Sequence, residues 1–167
     1  MNLPKCPLCN EDYTRRVRRE GLVEHLISKF YIYPFRCQLC GERFRARQHG
    51  VRYVRVDEDR REYERVAVAY DATLAAQREQ YQGVVTNISL GGCAAYTDAP
   101  LFPGAILQLG LKPPGYAHAI TIDAALVRTS RPNNVGMEFI RFKDDERIRL
   151  KELVRSLHPA ANAPAPS

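Results

Sequence analysis

A chain of 167 residues is long enough for one ordinary domain with a small appendage and too short for two full cores. With 45% hydrophobic and 26% charged residues, its composition is that of a globular protein and not of a disordered one. No apolar run approaches the roughly 18 residues of a membrane helix, and Met1-Asn2-Leu3-Pro4-Lys5 begins no signal-peptide core, so a cytoplasmic protein is expected. The formal charge of +6 is uneven: residues 1–55 carry 12 Lys/Arg against 5 Asp/Glu, residues 56–65 carry 3 against 5, and the remainder carries 10 against 9. An anionic partner at the basic N-terminal third is compatible with this, although arginine-rich surfaces also serve solubility alone.

Cys6-Pro7-Leu8-Cys9 and Cys37-Gln38-Leu39-Cys40 are two Cys-x-x-Cys pairs with 27 residues between them. Each pair presents two thiolates from one tight turn, and two such turns complete the tetrahedral shell of a structural zinc. Asn10 and Gly41, directly after the pairs, tolerate the left-handed conformation that turns backbone amides toward the sulfurs. A thioredoxin-type redox pair would need a βαβ context, and disulfides an oxidising compartment, neither of which the sequence indicates. Cys6, Cys9, Cys37 and Cys40 are therefore expected to hold zinc in a closed, structural site.

Between the pairs, Gly21 to Phe30 has helical periodicity. Leu22, Val23, Leu26, Ile27 and Phe30 fall on one face and Glu24, His25 and Ser28 on the other. The apolar face is expected to cover the zinc module, with Glu24 and His25 in solvent. Arg15-Arg16-Val17-Arg18-Arg19 and the alternating Arg43-Phe44-Arg45-Ala46-Arg47 are its basic features. Strand periodicity would align Arg43, Arg45 and Arg47 on one face, a geometry that could track a nucleic-acid backbone. The stretch from Tyr33 through Phe44 is similar to zinc-ribbon heads on bacterial proteins, a short likeness with no specific function.

The lead-in Asp59-Arg60-Arg61-Glu62-Tyr63-Glu64-Arg65 precedes a strand-like run. From Val66 onward the pattern is all-β, with strands expected at 66–77, 81–89, 92–96, 106–112, 119–131 and 134–142, separated by Pro/Gly/Asn turns. Regularly spaced strands without intervening helices suggest a small closed barrel. Asp144, Asp145 and Glu146 then open a helix with Leu150, Leu153, Val154 and Leu157 as its apolar stripe, stopped by Pro159. The Ala/Pro-rich tail has nothing to pack and is expected to be disordered.

One strand ends in Asn87-Ile88-Ser89-Leu90-Gly91-Gly92. Alternation places Asn87 and Ser89 on an outward face and Ile88 and Leu90 toward a core, and the glycines leave room for a tight turn. Arg61 and Arg65, with three residues between them, present two guanidinium forks. Arg-x-x-x-Arg in the lead-in together with Asn-x-Ser-x-x-Gly resembles the signature of the PilZ domain family, with Asn87 where Asp is more usual. Val135-Gly136-Met137-Glu138-Phe139 is similar to the last barrel strand of that family, so the likeness spans residues 58–157.

The resemblance implies a mainly β fold, a six-stranded PilZ-like barrel with a C-terminal helix, and the cysteine spacing and helical periodicity place before it a zinc-ribbon-like module that contains a short helix. The expected organisation is a module over residues 1–50, a linker with the arginine motif over 51–65, barrel and helix over 66–158, and a tail over 159–167. It further implies a cyclic di-GMP receptor or adaptor, not an enzyme, with Arg60, Arg61, Arg65, Asn87, Ser89 and Gly92 at the ligand. Capture of the ligand by the linker arginines would reorient the zinc module toward a protein partner. Arg60 would favour two stacked ligand molecules, and nothing in the sequence makes nucleotide binding depend on the metal. The competing reading of Arg61 and Arg65 is a solvated linker paired with Asp59, Glu62 and Glu64. The competing function is a zinc-ribbon adaptor for nucleic acid or RNA polymerase on a non-binding barrel. No carboxylate pair or histidine constellation supports catalysis, and Cys93 reads as a buried structural thiol.

Overall fold

The computed structural model describes residues 3–50, 63–76 and 78–157. Arg60 and Arg61, with Asp59, Glu62, His158 and the tail 159–167, lie outside the described residues. The chain divides into two compact units between Glu64 and Arg65.

The first unit is a three-stranded antiparallel sheet in the order β1-β2-β3, with β1 at Thr14–Arg16, β2 at Ile32–Cys37 and β3 at Arg43–Arg47. The register pairs Phe35 with Phe44, whose rings stack at 5.9 Å. Tyr33, Phe35 and Cys37 are fully buried, so the aromatic residues of β2 supply the apolar centre of a unit too small for a conventional core.

Helix α1 (Gly21–Ile27) continues into a 3-10 turn, Ser28–Phe30, that ends on Tyr31 in the left-handed conformation at φ 63°. Its orientation is the reverse of the sequence expectation. Leu22, Val23, Leu26 and Phe30 are 60–89% exposed, whereas Glu24 is 1% exposed. The cause is charge. Arg43 grips Glu24 through two hydrogen bonds, Nη1 to Oε1 at 2.7 Å and Nη2 to Oε2 at 2.8 Å, and Arg45 Nε adds a third at 3.2 Å. The backbone amide of Glu20, the N-cap, donates to Glu24 Oε2 at 2.7 Å. A carboxylate with four such bonds stays charged, and the Arg43 contact, against burial, holds its carboxyl at about 2. Facing Arg43 and Arg45 toward apolar side chains instead would leave two charges beside the sheet without a counter-charge.

The second unit is a closed antiparallel barrel of six strands in the order β4-β5-β6-β9-β8-β7. Its strands are β4 (Val66–Ala76), β5 (Glu79–Ser89), β6 (Gly92–Thr97), β7 (Ile106–Lys112), β8 (Ile120–Arg131) and β9 (Asn134–Arg141), each within two residues of its expected position. Closure between β4 and β7 leaves no free sheet edge. Leu74, Val85, Ile88, Leu109, Ile122 and Met137 are among the residues that fill the interior.

Helix α2 (Asp144–Leu157) adds Leu150, Leu153 and Val154 to that core. Glu146 accepts the amide of Thr121 at 2.9 Å, and Arg149 donates to the carbonyls of Ala119 and His118 at 3.0 and 2.6 Å, which pins the helix to the start of β8. No helix among the described residues is long and apolar enough to cross a membrane.

Candidate functional site

The two Cys-x-x-Cys turns repeat one backbone pattern. Cys6 N–H donates to Glu11 O and Cys37 N–H to Glu42 O, both at 2.8 Å; Asn10 N–H returns to Cys6 O at 2.9 Å and Gly41 N–H to Cys37 O at 3.1 Å. Asn10 and Gly41 hold the positive φ this needs, 59° and 83°. The four sulfurs lie within 4.8 Å of one another, with Cys6 to Cys40 and Cys9 to Cys37 at 3.6 Å. A tetrahedron with metal–sulfur bonds of about 2.3 Å has edges of about 3.8 Å. Two of the sulfur pairs are thus near that edge length, and the cluster is compatible with a tetrahedral metal.

Burial raises the thiol pKa values at Cys9 and Cys40. At Cys6 burial is outweighed by the amides of Cys9 and Leu8 and by the neighbouring sulfurs, so its thiol falls below the ordinary 9.0. The donor set is four protein sulfurs, which leaves a four-coordinate metal no open position for substrate. His25 stays exposed, as expected, with Nδ1 at 2.8 Å from Gly21 O.

The basic features of this unit are largely engaged. Arg43 and Arg45 share Glu24, Arg16 donates to Gln48 and stacks over Tyr33 at 4.5 Å, and Arg19 donates to Ser28 at 2.8 Å. Of the strand arginines expected to align on one face, Arg43 and Arg45 thus have a carboxylate counter-charge, while Arg45 and Arg47 remain exposed.

Tyr63 and Glu64, which stand between the two arginines of the lead-in motif, rest on the cysteine module. Gln38, inside the second Cys-x-x-Cys and only 3% exposed, accepts the Glu64 amide on Oε1 at 2.7 Å. The Tyr13 hydroxyl donates to Glu64 Oε2 at 2.8 Å, and Arg36 Nη1 donates to the Tyr63 hydroxyl at 3.1 Å with its guanidinium 5.4 Å from the ring centre. Burial and the Glu64 carboxylate push the Tyr13 hydroxyl up to about 12, so it remains a donor at neutral pH. Sequence reasoning missed Gln38 and Tyr13. The trace of Gln38 there is a polar residue in the middle of a metal-type turn, and Tyr13 has none.

In the barrel, Arg65 Nη1 donates to Asn87 Oδ1 at 3.1 Å, which joins the second half of the arginine motif to the first residue of the strand motif. Ser89 is not exposed as expected: it is 3% exposed and its hydroxyl donates to Gly92 O at 3.1 Å. A register shift lies earlier in β5, between Val85 and Asn87, and leaves Val85 and Ile88, three positions apart, both buried. From Asn87 to Ser89 the pairing with β6 is regular, so Ser89 keeps the side of Asn87 and is buried by its place opposite Gly92 beside the β5–β6 turn.

Gly92 has its own structural reason, because a Cβ there would stand 2.2 Å from Met137 O, where β6 pairs with β9. Cys93 is fully buried, and burial raises its thiol to about 12, offset only in part by Arg65. A shallow cavity of about 340 Å³ lined by Thr97, Asp98, Ser130 and Asn133 sits at the other end of β6, away from these residues.

The second unit is thus a closed antiparallel barrel with an arginine seated on a polar strand motif. A family model, the PilZ domain, matches residues 59–156. The chain belongs to the PilZ domain family, whose members are regulatory receptors and adaptors for cyclic di-GMP. No curated protein matches it.

Similar solved structures include the PilZ domain of CeSA from a cellulose-synthesizing bacterium, at 15% identity and TM-score 0.47 over 56% of this chain and 97% of that one. An uncharacterized Legionella protein is 18% identical with TM-score 0.40 over 57% and 94%. The Bacillus subtilis inhibitor of motility is 19% identical with TM-score 0.48 over 74% and 71%.

Proposed function

We propose that this chain is a cyclic di-GMP receptor in which Arg61 and Arg65, with Arg60 beside them, capture the nucleotide against Asn87, Ser89 and Gly92. The observation that supports the reading is the Arg65 to Asn87 contact, which seats one arginine of the lead-in motif on the first residue of the strand motif. Arginine donates a bidentate pair to guanine N7 and O6 and equally to phosphate oxygens. Asn87 supplies a carbonyl and an amide for a second edge of the base or the sugar. Ser89 and Gly92 have a supporting part in this reading: the Ser89 hydroxyl bonds Gly92 O, and Gly92 permits the close approach of β6 to β9, so that the β5–β6 turn beside Asn87 stays tight.

The cysteine module holds zinc in a structural role and carries the output. Its exposed face of Leu22, Val23, Leu26 and Phe30, with Arg18 and Lys29 exposed nearby in sequence, suits a protein partner whose apolar contact surface is rimmed by carboxylates. Nucleotide capture orders the lead-in and reorients the module toward that partner.

Calorimetric titration of the purified chain with cyclic di-GMP tests the reading. Arg61→Ala and Arg65→Ala each remove a bidentate contact worth about 1–3 kcal/mol, or on the order of 5-fold to 150-fold in affinity, with the barrel still folded. Unchanged affinity in both variants would refute it.

A further inference from the structure

The two residues between the motif arginines are already held by the cysteine module. We infer that Gln38, Tyr13 and Arg36 are positioning residues for the nucleotide site: they clamp Tyr63 and Glu64 so that the lead-in is partly ordered before ligand binds. The inference rests on the cyclic di-GMP reading above and names what regulates that site.

Three contacts on two consecutive residues make the clamp. Gln38 takes the Glu64 amide, Tyr13 takes its carboxylate, and Arg36 takes the Tyr63 hydroxyl and covers its ring. Gln38 is itself fixed, with its amide nitrogen donating to Arg36 O at 3.2 Å and its backbone N–H to Tyr13 O at 3.0 Å. It lies between two of the four metal-type cysteines, so the turn that presents its side chain is the turn the cluster closes.

Two physical consequences follow for an anionic ligand. Fixing a free backbone residue opposes binding, and a residue ordered beforehand relieves the ligand of that loss. A Glu64 carboxylate free to swing toward Arg61 and Arg65 would also compete with phosphate for their guanidinium groups, whereas Tyr13 keeps it engaged on the module. Each contact in the clamp therefore raises affinity without touching the nucleotide. Metal loading, by closing the Gln38 turn, acts in the same direction.

The test uses the full, metal-loaded chain with two readouts. In calorimetry with cyclic di-GMP, Gln38→Ala is expected to weaken binding roughly tenfold and Tyr13→Phe roughly threefold, the loss of a net hydrogen bond in each case. Both variants keep wild-type metal content. In amide hydrogen exchange without nucleotide, the Glu64 amide is protected in the wild type and becomes fast in Gln38→Ala. Wild-type affinity in both variants, while Arg65→Ala binds weakly, would overturn the clamp and leave the receptor assignment standing. Fast exchange at Glu64 in the metal-loaded wild type would overturn it without reference to any ligand. If the wild type shows no nucleotide binding, the receptor reading falls and takes the positioning role with it, even where Glu64 is protected.

Discussion

Replacing Glu24 by Gln tests the inverted helix most directly. The carboxylate is buried and takes two hydrogen bonds from Arg43, one from Arg45 and one from the Glu20 amide. Gln keeps the volume but loses the charge and one acceptor oxygen, and it turns an amide donor toward guanidinium groups. Breaking a buried pair by removing one partner costs about 3–5 kcal/mol. Arg43 retains some exposure and has Glu20 at 3.6 Å as a second carboxylate, which places the expected loss at about 3 kcal/mol.

Because metal binding and folding of a small thiolate module are linked, that loss should appear as a fall of about two orders of magnitude in metal affinity. The assay is competition with a chromophoric chelator at neutral pH. Glu24 has its carboxyl depressed to about 2 from 4.5, so its stabilising effect is fully present above about pH 4.5 and is lost as pH falls toward 2. Neutral pH therefore reads the whole effect. Leu26→Ser is the control: at 60% exposed it should change metal affinity by less than about twofold. The reverse result, a neutral Glu24→Gln and a damaging Leu26→Ser, would mean that the helix packs by its apolar stripe and that the buried carboxylate does not set its orientation.

Gly92→Ala should destabilise the barrel by about 3 kcal/mol or more, read as a lowered thermal midpoint, because its Cβ would meet the Met137 carbonyl at 2.2 Å and backbone cannot give way there. Chelation should release one metal ion per chain and melt the N-terminal unit while barrel circular dichroism persists, and simultaneous loss of both would show a shared core. Arg60 should set stoichiometry: two stacked ligands bring four phosphate charges, which a third guanidinium helps to offset. The wild type is then expected to bind two cyclic di-GMP molecules and Arg60→Leu closer to one, checked by calorimetry with independently calibrated concentrations.

The barrel was readable because its signals are local. Strand runs of Val, Ile and Tyr between Pro/Gly/Asn turns placed all six strands, and the stripe Leu150, Leu153, Val154 placed α2. The cysteine cluster was readable from spacing, and the left-handed Asn10 and Gly41 from residue type. Helix α1 was misjudged because periodicity records which residues share a face and not which face is buried. A carboxylate opposite two strand arginines reversed the choice, and those arginines lie about twenty residues downstream. Exposure of Ser89 was misjudged because alternation gives the side of a strand on which a residue lies and not whether that side is covered beside a tight turn. The contact of Gln38 with Glu64 had no trace in the sequence, because nothing local joins two residues 26 positions apart.

The division between Glu64 and Arg65 bears on how such a chain could be inherited. Exchange of modules between genes is usually tolerated at the boundary of compact units, where few contacts cross. In this chain a crossover at that boundary would cut Arg-x-x-x-Arg in two, with the donor's Arg61 travelling with its cysteine module and Arg65 staying with the barrel. A recombinant with a foreign N-terminal unit would keep a sound barrel and lose half of its arginine pair, unless the incoming segment ended in an arginine at the same distance. The cysteine module and the barrel are in that sense a single heritable unit, although each has a core of its own.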